Sequence, residues 1–339
     1  LSEVAGAYAT EWRGPDAKYR RNDWGVEEDL QLSEYRVEAE AGREYVLRQY
    51  GCLLPSALHP EPHLEVLRLM YTLRTLGFDR VREDNRAAWA EIWRGRPILH
   101  GAGEAMQDTA DAAYHYLHAS VTRGTPQSVA PFGLSQHRQY HGHVFWDTET
   151  FMFPPVLLTN PDAARAMLDY RSARLDAARA NARLHGERGL RFPWQSGASG
   201  AEVTTAWAGS GAEEEIHINM DIAFAFAQYA HATGDDLFRR QQAWPVLEGV
   251  AEYLTGRVRR TERGYELHHA SGIDATTENV NNNCFTNATA VLALREAIAM
   301  AESLGLRPPR RWRDVAENMY FPLDPERGIL LNHDGYEYT

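Results

Sequence analysis

The sequence predicts a mainly α protein with a short β region in front. Three observations carry this. From His63 onward, apolar residues recur at helical spacing. Caps and breakers bracket those runs. The Trp, Asp, His and Asn residues collect in the long loops between them. Long helices with chemistry in the loops fit an α/α toroid, whose inner helices aim their ends at a central pocket. A pile of antiparallel helices without a pocket fits the periodicity equally well.

The first fifty residues read as β. Tyr35–Glu40 alternates apolar and polar residues, Ala41-Gly42-Arg43 can turn, and Glu44–Tyr50 supplies a second strand, so a hairpin is expected here. A lone hairpin is marginal in water, and more chain is therefore expected upstream to complete a sheet. Pro55 and Pro60-Glu61-Pro62 end the β region. Val66, Leu69, Met70 and Leu73 then share one helical face; Gly77 closes that helix and a second covers about 79–93. Further helices are expected over 105–121, 161–184, 216–232, 241–258 and 286–304. Asn160 and Pro161 cap and start the second of these, and Gly186, Gly234 and Gly305 follow helix ends.

Composition excludes several classes. No apolar run reaches the length of a membrane span. The formal net charge of −12 argues against nucleic acid or anionic membrane as partners. Lys18 is the only lysine, so the positive charge is almost all arginine. Cys52 and Cys284 make neither a disulfide framework nor a metal set, and read as small packed residues. With no basic-then-apolar leader in view, a cytoplasmic location is favoured.

Four stretches carry chemistry. Tyr140–Phe153 packs aromatics, carboxylates and histidines together. An indole covers the apolar face of a pyranose while a carboxylate accepts from its hydroxyls, so Trp146 and Asp147 are candidates for sugar binding. The blander reading makes the aromatics core and Asp147 a helix cap. Arg191-Phe192-Pro193-Trp194-Gln195-Ser196 adds Trp194 and Gln195, or else forms a buried turn. In Glu213–Asp221, Glu213 and Glu214 suit a helix N-terminus. His217 and Asp221 stand one turn apart, but no third ligand appears at helical spacing, so no metal is expected. Asn281, Asn282 and Asn283 read as turn chemistry, with Asn287 capping the next helix.

Gly272-Ile273-Asp274-Ala275-Thr276-Thr277-Glu278-Asn279-Val280-Asn281-Asn282-Asn283, taken with Gly142–Glu149, resembles a signature of glycoside hydrolase family 65. That family holds kojibiose, maltose and trehalose phosphorylases, kojibiose hydrolases, and glucosidases for glucosylgalactosyl units. The resemblance implies a partial (α/α)6 toroid over 95–339, a helical linker over 59–94, and the end of an N-terminal β-sandwich domain over 1–58. It implies that Trp146 and Asp147 hold a glucosyl ring, with Trp194, Gln195, Glu215 and His217 bordering the pocket. The family's general acid is the Glu of an Asp-Glu pair. Its place here holds Ala275, which donates no proton; Glu278, a Glu the family keeps in addition to the acid, is the only nearby competitor for that role. Gln195 likewise stands where the family has Glu.

The implied reaction is inverting attack on an α-glucosidic bond by water or phosphate, with no cofactor and an α-glucoside or disaccharide as partner. Members usually continue well beyond the Asn332–Tyr336 region, and that continuation decides between hydrolase and phosphorylase. Phe153–Leu158 and Ala206–Gly211 look more like the kojibiose-hydrolase branch. A catalytically inactive glucoside-binding protein and a ligand-free helical scaffold are the rival readings. Homodimers are common in the family.

Overall fold

The structure, a computed structural model, describes residues 3–22, 32–125, 127–134, 139–205, 212–274 and 277–337. It divides into two compact units, Leu1–Arg94 and Gly95–Thr339. The fold is mainly helical.

In the first unit, β1 (Val4–Arg13) pairs antiparallel with β4 (Val46–Pro55), Val4 facing Pro55 and Arg13 facing Val46. β2 (Lys18–Asn22) pairs with β3 (Leu32–Arg36). The two ribbons are joined by side chains. Thr10 Oγ1 lies 2.8 Å from the Tyr35 hydroxyl, and Trp12 stacks on Tyr35 at 5.6 Å. The expected hairpin of 35–40 with 44–50 is therefore not the pairing found. Its two arms belong to different ribbons, because β1 offers β4 a ten-residue ladder and β2 offers Tyr35 an aromatic neighbour, Tyr19, at 4.8 Å. The turn survives: Gly42 takes φ +79°, which only glycine adopts without strain, and the Glu40 N–H donates to the Tyr45 hydroxyl. α1 (Pro62–Leu76) buries Val66 and Met70 and packs on β1 and β4. α2 (Phe78–Ile92) follows the corner at Gly77.

The second unit begins with α3 (Glu104–Ser120). α4 (Phe153–Thr159), α5 (Pro161–Ser172) and α6 (Leu175–Leu184) follow. Asn160 caps α5 as expected, its side chain accepting from Ala163 N. The single helix expected over 161–184 is instead two. Arg174 leaves the helical region at φ −121°, folds back over the Tyr170 ring at 3.9 Å, and donates to Ala198 O and Tyr170 O. These bonds replace the helical ladder at that turn.

α7 (Ile218–Thr233) is the centre of the unit. It is apolar nearly all round, as a fully buried helix must be, and packs against α4, α5, α9 and α10. It starts at Ile218; Glu213 and Glu214 lie before it in a single 3-10 turn. α8 (Asp236–Phe238) leads through a π-turn at Arg239–Ala243 into α9 (Trp244–Arg257). A second π-turn, Thr148–Met152, leads into α4. In both, the helix continues with proline: Pro154 and Pro155 in one case, Pro245 in the other. A proline ring clashes with the carbonyl four residues back and lacks an N–H to bond it. The wider turn relieves that clash, and the last N–H before the prolines bonds five residues back, Phe153 to Thr148 and Trp244 to Arg239.

Two short hairpins, β5 (Arg259–Thr261) with β6 (Gly264–Glu266) and β7 (Leu323–Asp324) with β8 (Ile329–Leu330), flank α10 (Cys284–Ser303) and α11 (Arg310–Glu317). The cap of α10 is Asn283, which accepts from Thr286 N. Asn287 is not the cap. It lies inside the helix, fully buried, and donates to Tyr320 O. Among the described residues no helix is long and apolar enough to cross a membrane.

Candidate functional site

Four chain segments meet at the N-terminal end of α7. The first is 140–147. Tyr140, His141 and Gly142 all take positive φ, and the chain then bridges Val144 to Ser196. Phe145 is buried, and its carbonyl accepts from Arg171 Nη2. Arg171 also grips Glu149 with two bonds of 2.8 and 3.0 Å, both side chains about 1% exposed. This buried pair fixes the segment that carries Trp146 and Asp147, which are only partly buried. Asp147 stands at the N-cap position, just before the π-turn, yet makes no side-chain cap bond. The capping reading is thus removed. Burial pushes its carboxyl above the ordinary range, with Glu215 adding to the push.

The second segment, 190–205, is organised by Glu202. Its carboxylate accepts from Trp194 N at 2.7 Å, Gln195 N at 3.1 Å and Thr204 Oγ1 at 2.5 Å. Trp194 packs edge-on against Phe145 at 4.8 Å and donates from Nε1 to Glu215 Oε2 at 2.9 Å. Gln195 is fully buried. Its amide meets His143 Nδ1 at 2.6 Å, and its Oε1 has no partner.

The third segment supplies Glu215 and His217. His217 is fully buried. Its Nδ1 lies 2.7 Å from Asp221 Oδ2 and its Nε2 lies 3.5 Å from Glu215 Oε2. The imidazole stands perpendicular to Trp146 at 5.0 Å and to Phe285 of α10 at 5.4 Å. Burial alone pushes it down, but Asp221 and then Glu215 outweigh that and hold it at about 9. The i,i+4 pair is therefore a hydrogen-bonded couple. Trp146, Trp194, Glu215 and His217 form one contact cluster, and Asp147 feels the Glu215 charge.

The fourth segment is the loop 267–283. Ser271 N donates to Glu214 O, which ties the loop to the cluster's edge. The asparagine run is its frame. Asn281 accepts from His269 N, and Asn282 accepts from Leu267 N and donates to Glu266 and Asp334. Asn283 caps α10 and donates to Asn332 Oδ1. His269, Asn279 and Asn282 sit at positive φ, where asparagine is tolerated. Glu278 is exposed and hydrogen-bonds none of the cluster. Ala275 lies outside the described residues, as do 206–211. A cavity of about 210 Å³ opens behind Asp221, lined by Glu149, Thr150, Phe224, Phe285 and Thr289 among others; neither Trp146 nor Asp147 lines it.

Sequence reasoning missed Arg171, Phe285 and the organising part of Glu202. Arg171 had a signal. It continues the buried stripe Ala164, Met167, Leu168, and a charge on such a stripe requires a buried partner. Phe285 had none.

The glycosyl hydrolase family 65 central catalytic domain matches residues 112–339. A kojibiose hydrolase of Flavobacterium johnsoniae is 35% identical over 323 residues, covering 95% of this chain and 46% of that protein. A protein-glucosylgalactosylhydroxylysine glucosidase of Gallus gallus is 37% identical over 261 residues, 74% of this chain and 37% of that one. A kojibiose phosphorylase of Escherichia coli is 33% identical, covering 80% and 38%. A solved structure of a putative kojibiose phosphorylase from human microbiome shares the fold, with a TM-score of 0.78, 16% identity, and 98% and 46% coverage. The chain spans less than half the length of these relatives. On the match of its helical unit to the central catalytic domain, the chain belongs to glycosyl hydrolase family 65.

Proposed function

We propose that this chain carries the glucosyl-binding wall of an inverting α-glucoside hydrolase acting on α-glucosyl disaccharides or glucosylated acceptors. The observation that carries the reading is Asp147. It is a partly buried carboxylate that caps no helix, next to Trp146 in the chain and near enough to Glu215 to feel its charge. A pyranose needs that combination, an aromatic face and an acceptor side by side. The helical unit is then the first part of an (α/α)6 toroid, and the β ribbons the end of a sandwich domain.

Ala275 at the general-acid position means that this chain protonates a leaving oxygen poorly. A disaccharide phosphorylase of the same family is the second reading, favoured by the phosphorylases among its relatives. A glucoside-binding protein without activity is the third, favoured by Ala275.

The test is Ala275→Glu, with the second half of a family catalytic domain in the same polypeptide. A positioned acid acts mainly in the transition state, so kcat on kojibiose is expected to rise on the order of 10²–10⁴-fold with sugar affinity unchanged. Release of β-glucose in water marks a hydrolase. Release of β-glucose 1-phosphate, only when phosphate is added, marks a phosphorylase. No gain on any α-glucoside sinks the enzyme reading in favour of binding alone. Full activity in the parent that vanishes in Glu278→Gln would move the acid to Glu278.

A further inference from the structure

His217 carries more than packing. Its two nitrogens face two carboxylates, Asp221 at 2.7 Å and Glu215 at 3.5 Å. Nε2 is buried, and the Glu215 carboxylate at 3.5 Å is the long contact it faces. A neutral imidazole has one N–H. If that N–H points to Asp221, the Nε2 lone pair faces the Glu215 carboxylate. If it points to Glu215, the Nδ1 lone pair faces Asp221 at hydrogen-bond distance. Only the imidazolium donates both ways.

The surrounding charges need such a cation. Glu215 and Asp221 lie on its own segment and helix, Glu149 lies on the π-turn packed against α7, and Asp147 immediately precedes that turn. Among the described residues two buried arginines lie near, and both are engaged elsewhere: Glu149 occupies Arg171 with two bonds, and Glu187 and the Glu213 carbonyl occupy Arg191. The rings of Trp146 and Phe285 stand perpendicular to the imidazole and fix its plane.

We propose, building on the sugar-site reading above, that His217 is a positioning residue acting as a fixed positive charge. It holds Glu215, and through it the Trp194 indole, in place. It also balances the charge that Glu215 places beside Asp147, so that Asp147 remains an ionised acceptor for a sugar hydroxyl. The charge assignment agrees with the direction in which Asp221 and Glu215 move the imidazole.

The experiment uses the full 339-residue chain. Nitrogen NMR of the histidines, with His217 identified by the signals missing in His217→Asn, is expected to show both its nitrogens protonated at about pH 7.5. Titration with glucose then follows affinity between about pH 8 and about pH 5.5. The parent is expected to change less than about twofold. His217→Asn keeps one N–H toward Asp221 but no charge. It is expected to lose about tenfold in affinity over that range, as Asp147 takes up a proton. Adding Asp147→Asn to it should abolish the pH dependence, which a merely structural His217 would not predict. A neutral imidazole at about pH 7.5, or a pH-independent His217→Asn, overturns the proposal. Should His217→Asn not fold, the parent's NMR still decides the charge, with assignment taken from Asp221→Asn perturbation. Absence of glucose binding by the parent at every pH overturns the sugar-site reading, and with it the purpose given to the charge. The NMR result separates that failure from a failure of the charge itself.

Discussion

Replacing Arg171 by Met removes the cation from an ion pair that is about 1% exposed on both sides. Met fills most of the stem's volume, so the cost is chiefly electrostatic. Glu149 loses two bonds, of 2.8 and 3.0 Å, and is left as a buried carboxylate. Breaking one side of such a pair costs about 3–5 kcal/mol. In a unit of this size each kcal/mol moves the melting midpoint by about 2–4 °C, so a fall of roughly 6–20 °C is expected. Burial already pushes the Glu149 carboxyl up, and without Arg171 it rises further. A carboxyl whose folded pKa lies above its unfolded one takes up its proton more readily when folded. The deficit of Arg171→Met should therefore shrink as the pH falls from about 8 to about 5. The double variant Arg171→Met with Glu149→Met leaves no orphan charge and should regain at least half of the loss. The assay is calorimetric melting of the four proteins at both pH values. A double variant as unstable as Arg171→Met, or a deficit that does not change with pH, would refute the reasoning.

Three further outcomes are expected. The stability contributed by His217 is fully present below about pH 6.5 and is lost as pH rises through about 9, a loss of up to about 3 kcal/mol that urea melts at rising pH would detect and His217→Asn would abolish. Asn282→Ala removes bonds to Leu267, Glu266 and Asp334 and puts a Cβ-bearing residue without a side-chain acceptor at φ +57°; it should cost about 2–4 kcal/mol, and Asn282→Gly up to about 1 kcal/mol less, by chemical denaturation. Trp194→Phe keeps the contact with Phe145 but loses the bond to Glu215, so glucose affinity in titration calorimetry should fall about 3–10-fold.

Much of the helical part was legible because period and caps act locally. Asn160-Pro161 and Gly234 mark ends that the structure places at the same residues. The failures came where a distant partner outbid the local pattern. Tyr35 and Tyr50 lie in strands, but β1 and β2 decide the pairing. Arg174 breaks a good helix for the sake of Ala198, many residues away. Asn283 rather than Asn287 caps α10, since either suits a cap by composition and only the bonds to Asn332 and Tyr320 separate them. At the site, the residue types were readable and the contacts were not. The sequence offered His217 and Asp221 as a face-sharing pair, and only the fold shows Trp146 and Phe285 closing on the imidazole.

The π-turn at Thr148–Met152 amounts to one residue too many for an α-helical turn. Each residue of a helix turns the chain by about 100°. Deleting one residue between 148 and 152 would therefore swing Trp146 and Asp147 by about 100°, a little over a quarter of a revolution, around the axis while α4 stayed docked on its neighbours. Sliding the extra residue along the turn would rotate them by smaller steps. Within this architecture a single codon gained or lost would re-aim the proposed sugar-facing wall, and it would leave the core intact only where it spares the buried Arg171–Glu149 pair. Turn length just ahead of Pro154 is thus a steering variable coupled to stability through Glu149, along which the proposed glucoside preference would drift.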